Sequence, residues 1–257
     1  MITVWRYEIR RVVNARRLLW PGIACALGAL AAIIVMTAVV AGVGHGAMPA
    51  PSEAMAFVLD RGSIMPAVAG VAAAMLIGAE FRHRTVEVTL AVTPHRRVVV
   101  CAYLGVQTAI AAVLGALGSV LSVAVVGAGL GLWHPPAVVV AAVGTHVFTC
   151  VVWSVWGGAS VLIVRSRTFA VTVLLCWTGV VEPAVGGIAA VAGDERLATA
   201  AGYLPMALLG SLTRALAPSG GVLIGGGNGP GVGVATAVIV VATAMLAWLG
   251  SSRFAAM

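Results

Sequence analysis

Lysine is missing altogether from the 257 residues: all 15 basic side chains are arginine. A phosphate-binding G-x-x-x-x-G-K-[ST] loop needs a lysine that reaches the phosphates, so the chain cannot carry one. Nor can it form a lysine Schiff base with a cofactor. Charge of either sign is scarce. Charged residues make up 9% of the sequence, whereas a soluble domain carries about 25%. Hydrophobic residues make up 61%, and the mean hydropathy is +1.09. A soluble domain is thereby excluded. The four cysteines, Cys25, Cys101, Cys150 and Cys176, each lie inside an apolar run, and none forms a C-x-x-C pair. They read as small buried hydrophobes rather than metal ligands or disulfide partners. No H-E-x-x-H pattern occurs, so zinc-protease chemistry has no ligand set. A net charge of +7 can point to nucleic acid. Here the arginines sit between apolar runs, which is the placement that sets membrane orientation.

What the chain does have is a series of apolar runs long enough to cross the hydrocarbon core, each needing about 20 residues as a helix. Residues 1–17 are charged and amphipathic, with Trp5, Ile9, Val12 and Val13 on one side and Arg6, Arg10 and Arg11 elsewhere. This predicts a helix lying in the membrane interface. Span one is predicted over 18–42, longer than the roughly 7–15 apolar residues of a signal peptide. An outer loop, 43–63, leads to span two at 64–79. The charged stretch 80–97 follows, then span three at 98–133, too long for one straight crossing, so that it must tilt or extend. After the turn at His134-Pro135-Pro136, span four runs over 137–164 and span five over 168–191. An outer segment, 192–231, contains the glycine-rich GGVLIGGGNGPG, which reads as a flexible loop. Span six is predicted over 232–250, leaving SSRFAAM as a tail. The fold class is an all-α integral membrane protein: one domain of six transmembrane helices with an N-terminal interfacial helix.

Twelve of the 15 arginines fall at the N-terminus, after span two, after span four and at the C-terminus. Arg61, Arg196 and Arg214 fall on the other side. By the positive-inside rule both termini lie in the cytoplasm, as an even number of crossings requires.

Polar residues within the spans are few. His146 falls near mid-membrane and shares a helical face with Thr149, Cys150, Trp153, Gly157 and Ser160. That face, with Gln107 of span three, fits either a substrate path, Trp153 offering a stacking surface, or a helix contact in which His146 bonds another span. Ala111, Gly115 and Ser119, with Gly118 and Ser122, are spaced as small-residue packing faces. Glu182 is the carboxylate that lies within a span, and Pro183 beside it removes a backbone donor. The pair fits a broken helix forming an outer gate, or simply an earlier end of span five. An ion-coupled secondary transporter places carboxylates near the midplane. Glu182 sits too far out for that role.

The stretch 80–97 is the sharpest feature. Val86, Leu90 and Val92 are spaced as the buried face of a short helix, leaving Glu80, Arg82, Arg84 and Glu87 for water or a partner. Gly78-Ala79-Glu80-Phe81-Arg82-His83-Arg84-Thr85, followed by Leu90-Ala91-Val92-Thr93-Pro94-His95-Arg96-Arg97, resembles the pattern of the ABC-2 type ABC transporter permeases. Leu204-Pro205-Met206-Ala207 is similar to that family's outer segment. Two positions depart: Arg84 stands where glycine is usual, and Ala102-Tyr103 where a lysine is common. The resemblance implies a permease of the type V exporter-like fold in a bacterial inner membrane. It implies that Glu80, Phe81, Arg82, His83, Arg84 and Thr85 form the coupling element seated in an ATPase subunit. It further implies no catalytic site, metal or cofactor on this chain, ATP and magnesium being held by two copies of a separate ATPase. A second permease chain, identical or paralogous, completes the pathway. The cargo expected is hydrophobic or amphipathic: a drug, an antibiotic or a lipid.

Overall fold

The computed structural model describes residues 65–83, 85–92, 95–130, 136–214 and 231–255. These are almost wholly helical, and no strand occurs among them. The predicted interfacial helix with Trp5, Arg10 and Arg11, span one, the loop 43–63 and Arg84 lie outside the described residues. Among those described, five helical stretches are long and apolar enough to cross a membrane: Met65–Arg82, Arg96–Ala124, Val139–Val164, Arg167–Ala189 and Gly233–Ala255. They match predicted spans two to six. The chain is a polytopic membrane protein.

Helix α1 (Met65–Arg82) carries span two past its predicted end at residue 79. A short helix, α2 (Thr85–Val92), occupies the middle of the charged stretch. Helix α3 (Arg96–Leu130) has 35 residues, about 52 Å at 1.5 Å per residue, well over the ~30 Å of hydrocarbon. Its length requires the tilt or overhang anticipated. Helix α4 (Pro136–Val164) opens on a proline, whose missing N–H is harmless in a first turn. Helix α5 (Arg167–Cys176) is capped by Ser166, which accepts from the backbone N–H of Phe169. It continues through a π-turn (Trp177–Val181) into α6 (Glu182–Ala192). Gly193, at φ 63°, ends that helix in the left-handed region, which glycine adopts without strain.

Two further predicted boundaries change. The segment 192–231 is not simply a loop: it holds α7 (Glu195–Gly202), capped by Asp194, and α8 (Pro205–Arg214). Leu208 and Leu209 of α8 are buried in the same core as Ala235 and Ile239. Helix α9 (Val232–Ala255) carries span six beyond 250 and takes in most of the predicted tail. Gly250 faces α4 so closely that a Cβ there would press on Ala159 and Leu162, and Phe254, one turn on, is fully buried. Packing at these two positions outweighs the weak helix propensity of Gly-Ser-Ser.

Helix α4 is the centre of the bundle: 67% of its spanning stretch is buried, against 17% for each of the last two spans. Helix α1 runs alongside it in the same direction, so close that a Cβ on Gly157 would run into the carbonyl of Gly70. Helix α3 runs the opposite way, with Gly115 against Cys150 and Gly118 against Met65. Its small-residue faces are the packing surfaces their spacing indicated. In a bilayer, close van der Waals fit of this kind replaces the hydrophobic effect as the force joining helices. Hydroxyls in the spans bond back to their own helix, as Ser119 does to the Gly115 carbonyl at 2.6 Å and Thr149 to that of Thr145 at 2.9 Å. The indole N–H of Trp156 crosses to Thr243 Oγ1 of α9 at 2.9 Å.

Candidate functional site

The C-terminal ends of α1, α4 and α9 and the N-terminal ends of α3 and α5 gather at one end of the bundle, which carries Arg82, Arg96, Arg97, Arg165, Arg167 and Arg253. Helix α2 lies at this end, joining α1 to α3. Val86 is buried in the core and Leu90 is packed against it, as their spacing predicted. Glu87 and Val88 face outward, Val88 with 65% of its surface exposed. Arg82, His83, His95 and Arg97 are exposed around them. The result is a short helix strapped to two spans by one face and presenting a mixed apolar and charged face outward.

Glu80 departs from its expected place. It was expected to face water or a partner, but it is buried, with 5% exposure. Its Oε2 accepts from Thr85 Oγ1 at 2.6 Å and from the Tyr103 hydroxyl at 3.3 Å. The reason is geometric: α1 does not stop at residue 79, so Glu80 falls on its inward face, one turn beyond Ile77. Glu80 therefore pins the start of α2 and the second turn of α3 to the end of α1. Tyr103, at the position that departs from the family pattern, supplies one of the donors. Phe81 is also turned inward, its ring meeting that of Phe254 edge-on at 6.4 Å and 88°. Of the six residues expected to form the coupling element, Arg82 is the exposed last residue of α1, His83 the exposed turn residue after it, Thr85 opens α2, and Arg84 lies outside the described residues.

The polar face of α4 lies within the bundle. His146, Thr149 and Trp153 have exposures of 4%, 7% and 1%, in the seam α4 forms with α1 and α3. Trp153 does not line an open path; its ring sits against Trp156 at 5.4 Å. Gln107 reaches across from α3 and donates through Nε2 to the Ser154 carbonyl at 3.2 Å. Gly158 leaves the space its amide fills.

At the opposite end, Glu182 and Pro183 do not break span five. The helix stays wound: the amide of Glu182 bonds five residues back to the carbonyl of Trp177, the widened register of a π-turn. This turn accommodates Pro183, which has no N–H and whose ring would collide with a carbonyl one ordinary turn back. The carboxylate is buried within the protein, with 8% exposure. It accepts from the Trp177 indole at 2.7 Å and, through both oxygens, from the Met206 amide at 3.1 and 3.0 Å. Met206 is the second residue of α8, so Glu182 caps that helix from another element and meets the positive end of its dipole. Glu182-Pro183 and Leu204-Pro205-Met206, read separately in the sequence, form one site.

No family model matches the sequence, and none of the curated proteins does. The sequence pattern gave no site role to Trp177, Arg165 or Phe254, and marked Tyr103 only as a departure from the resembled motif. Phe254 had a signal: Ala235, Ile239, Leu246, Gly250 and Phe254 recur at helical spacing, continuing one face beyond the residue at which the span was ended. The other three are partners chosen by tertiary contact.

Proposed function

We propose that the chain is the transmembrane subunit of an ABC-2 type exporter, moving a hydrophobic or amphipathic cargo with ATP hydrolysed by a separate ATPase. The observation that carries this reading is α2: a short helix at the arginine-bearing end, fastened through Val86 and Leu90 and offering Glu87 and Val88 outward, with Arg82 of α1 and Arg97 of α3 exposed on either side. A lever of this kind passes a partner's movement to the spans on either side of it. On this reading the arginine-bearing end is cytoplasmic, in a bacterial inner membrane. Span one and the interfacial helix complete six crossings, the chain does no chemistry itself, and two ATPase copies and a second permease chain complete the assembly. Coupling contacts belong to Arg82, His83 and Thr85 with α2, while Glu80 and Phe81 hold that element in place. Gln107, His146, Thr149 and Trp153 would meet cargo only in a state in which the seam has parted. An ion-coupled transporter would need Glu182 for its ion, and that carboxylate already serves Trp177 and Met206.

The test is co-purification in detergent with the ATP-binding-cassette ATPase encoded beside this chain. Wild type is expected to hold it. Val88→Asp together with Arg82→Ala is expected to leave a monodisperse permease that releases it, because neither side chain is buried. A wild type that holds no such ATPase removes the proposal's central claim.

A further inference from the structure

The last turn of α9 is where three other elements of the arginine-bearing end meet. Phe254, fully buried, receives the edge of the Phe81 ring at the end of α1. Arg96, at the start of α3, donates through Nη1 to the Ala255 carbonyl at 2.7 Å. Arg165, between α4 and α5, donates through Nη2 to the Arg253 carbonyl at 3.3 Å. The last carbonyls of a helix have no partner within it and carry the negative end of its dipole, so two guanidinium groups are chemically suited to them. Arg165 makes its contact from φ 60°, a backbone region that side chains other than glycine's disfavour. The rest of α9 is largely exposed, with 17% of its spanning stretch buried, and meets the bundle through Ala235 and Ile239 in the core and Thr243 bonded to Trp156. At its end it is held by a buried ring and by two guanidinium contacts from other elements. Phe81 and Arg96 also flank α2 on its two sides, so the loop and the last span share one joint.

We infer that the turn Arg253–Ala255 is a relay locking the last span to both ends of the 80–97 loop. A displacement imposed on α2 then moves α9 instead of being absorbed in the loop. Phe254, Arg96 and Arg165 are positioning residues in this device, acting through α2. The inference rests on the proposed docking of an ATPase there.

The experiment compares wild type, Phe254→Ala, Arg96→Gln and Arg96→Lys, each as the full chain reconstituted in lipid nanodiscs with the co-purifying ATPase. Two quantities are read: ATPase retained per permease, and the ratio of ATP hydrolysis in the complex to that of the free ATPase. Phe254→Ala and Arg96→Gln are expected to retain the ATPase as wild type does. They should lose about fivefold of the hydrolysis response, the order that one aromatic pair or one charge-assisted hydrogen bond supplies. Arg96→Lys, which keeps a cationic donor, should recover most of it. Full retention with an unchanged response overturns the relay. Release of the ATPase to the degree seen in Val88→Asp with Arg82→Ala also overturns it, because the turn would then only shape the docking face. A wild type that binds no ATPase defeats the exporter reading itself and is seen before any variant is compared. Arg96 is only half-buried, so Arg96→Gln carries the test if Phe254→Ala does not fold.

Discussion

Glu182 shows how one side chain in a membrane can be both costly and indispensable. A carboxylate buried among apolar spans is unfavourable unless its oxygens are occupied, and here the Trp177 indole and the Met206 amide occupy them. Glu182→Ala strands both donors, at about 1–3 kcal/mol, and removes the anion from the start of α8. Hydrogen exchange at the Met206 amide in detergent should rise about tenfold, by the same free energy, while amides of the α1–α4 seam stay as they were. Exchange at Met206 equal to wild type would show that the carboxylate does not hold α8. Glu182→Gln keeps one accepting oxygen and should fall between the two. A second residue-scale prediction concerns Gly157, whose Cβ position is filled by the Gly70 carbonyl. That neighbour is backbone and cannot turn aside, so Gly157→Val should cost about 3 kcal/mol or more. Gly144→Ala, with nothing within 4 Å of its Cβ position, should cost nothing; thermal inactivation in detergent compares the two. Neither site was visible in composition alone. The sequence marked Glu182 as the carboxylate within a span and placed Gly157 on the polar face of span four, but their partners lie in other elements, and spacing along one helix does not name them.

At the scale of elements, the π-turn decides whether Trp177 and Glu182 can meet. Five residues apart in an ordinary α-helix, they would point about 140° from one another; the wider turn brings them to the same side. Pro183 is the physical cause, since it forbids the usual hydrogen bond. Pro183→Ala should let the turn relax to α-helix and part the indole from the carboxylate. Exchange at Met206 would then move from the wild-type value toward that of Glu182→Ala. Were it to stay at the wild-type value, the turn would be set by packing and not by the proline. The same contrast explains what was legible in the sequence. Apolar runs located spans two to six because lipid contact imposes length and hydropathy directly. The proline announced a disturbance in span five, though not that the disturbance would be a change of register rather than a break. Helix α2 was found because Val86 and Leu90 repeat at helical spacing. Glu80 was misplaced because its orientation depends on where α1 ends, which is settled by the Tyr103 and Thr85 hydroxyls. The end of α9 was misplaced for a similar reason: Gly-Ser-Ser reads as a stop unless the contact of Gly250 with α4 is known.

The whole molecule has two chemically unlike ends and an apolar flank. Arg82, Arg96, Arg97, Arg165, Arg167 and Arg253 crowd one end, while Asp194, Glu195 and Arg196 lie at the other. Between them the outward surfaces of α5, the π-turn, α6 and α9 carry Val173, Val180, Ile188, Val241 and Trp248, side chains suited to lipid tails. The proposed orientation, by the positive-inside rule, puts the arginine-rich end in the cytoplasm. Position 252 lies at that end and position 200 at the other, with α9 crossing between them. Both residues are exposed. In a variant whose native cysteines are replaced, Ala200→Cys should react in intact cells with a maleimide that cannot cross the membrane, and Ser252→Cys should react only after permeabilisation. The reverse pattern would invert the orientation while leaving the bundle intact. Reaction of both positions from outside would mean that 200 and 252 lie on the same side, which the path of α9 does not allow. The experiment therefore tests separately the direction in which the chain is inserted and the claim that Leu208 and Leu209 dip into the core without α8 adding a crossing.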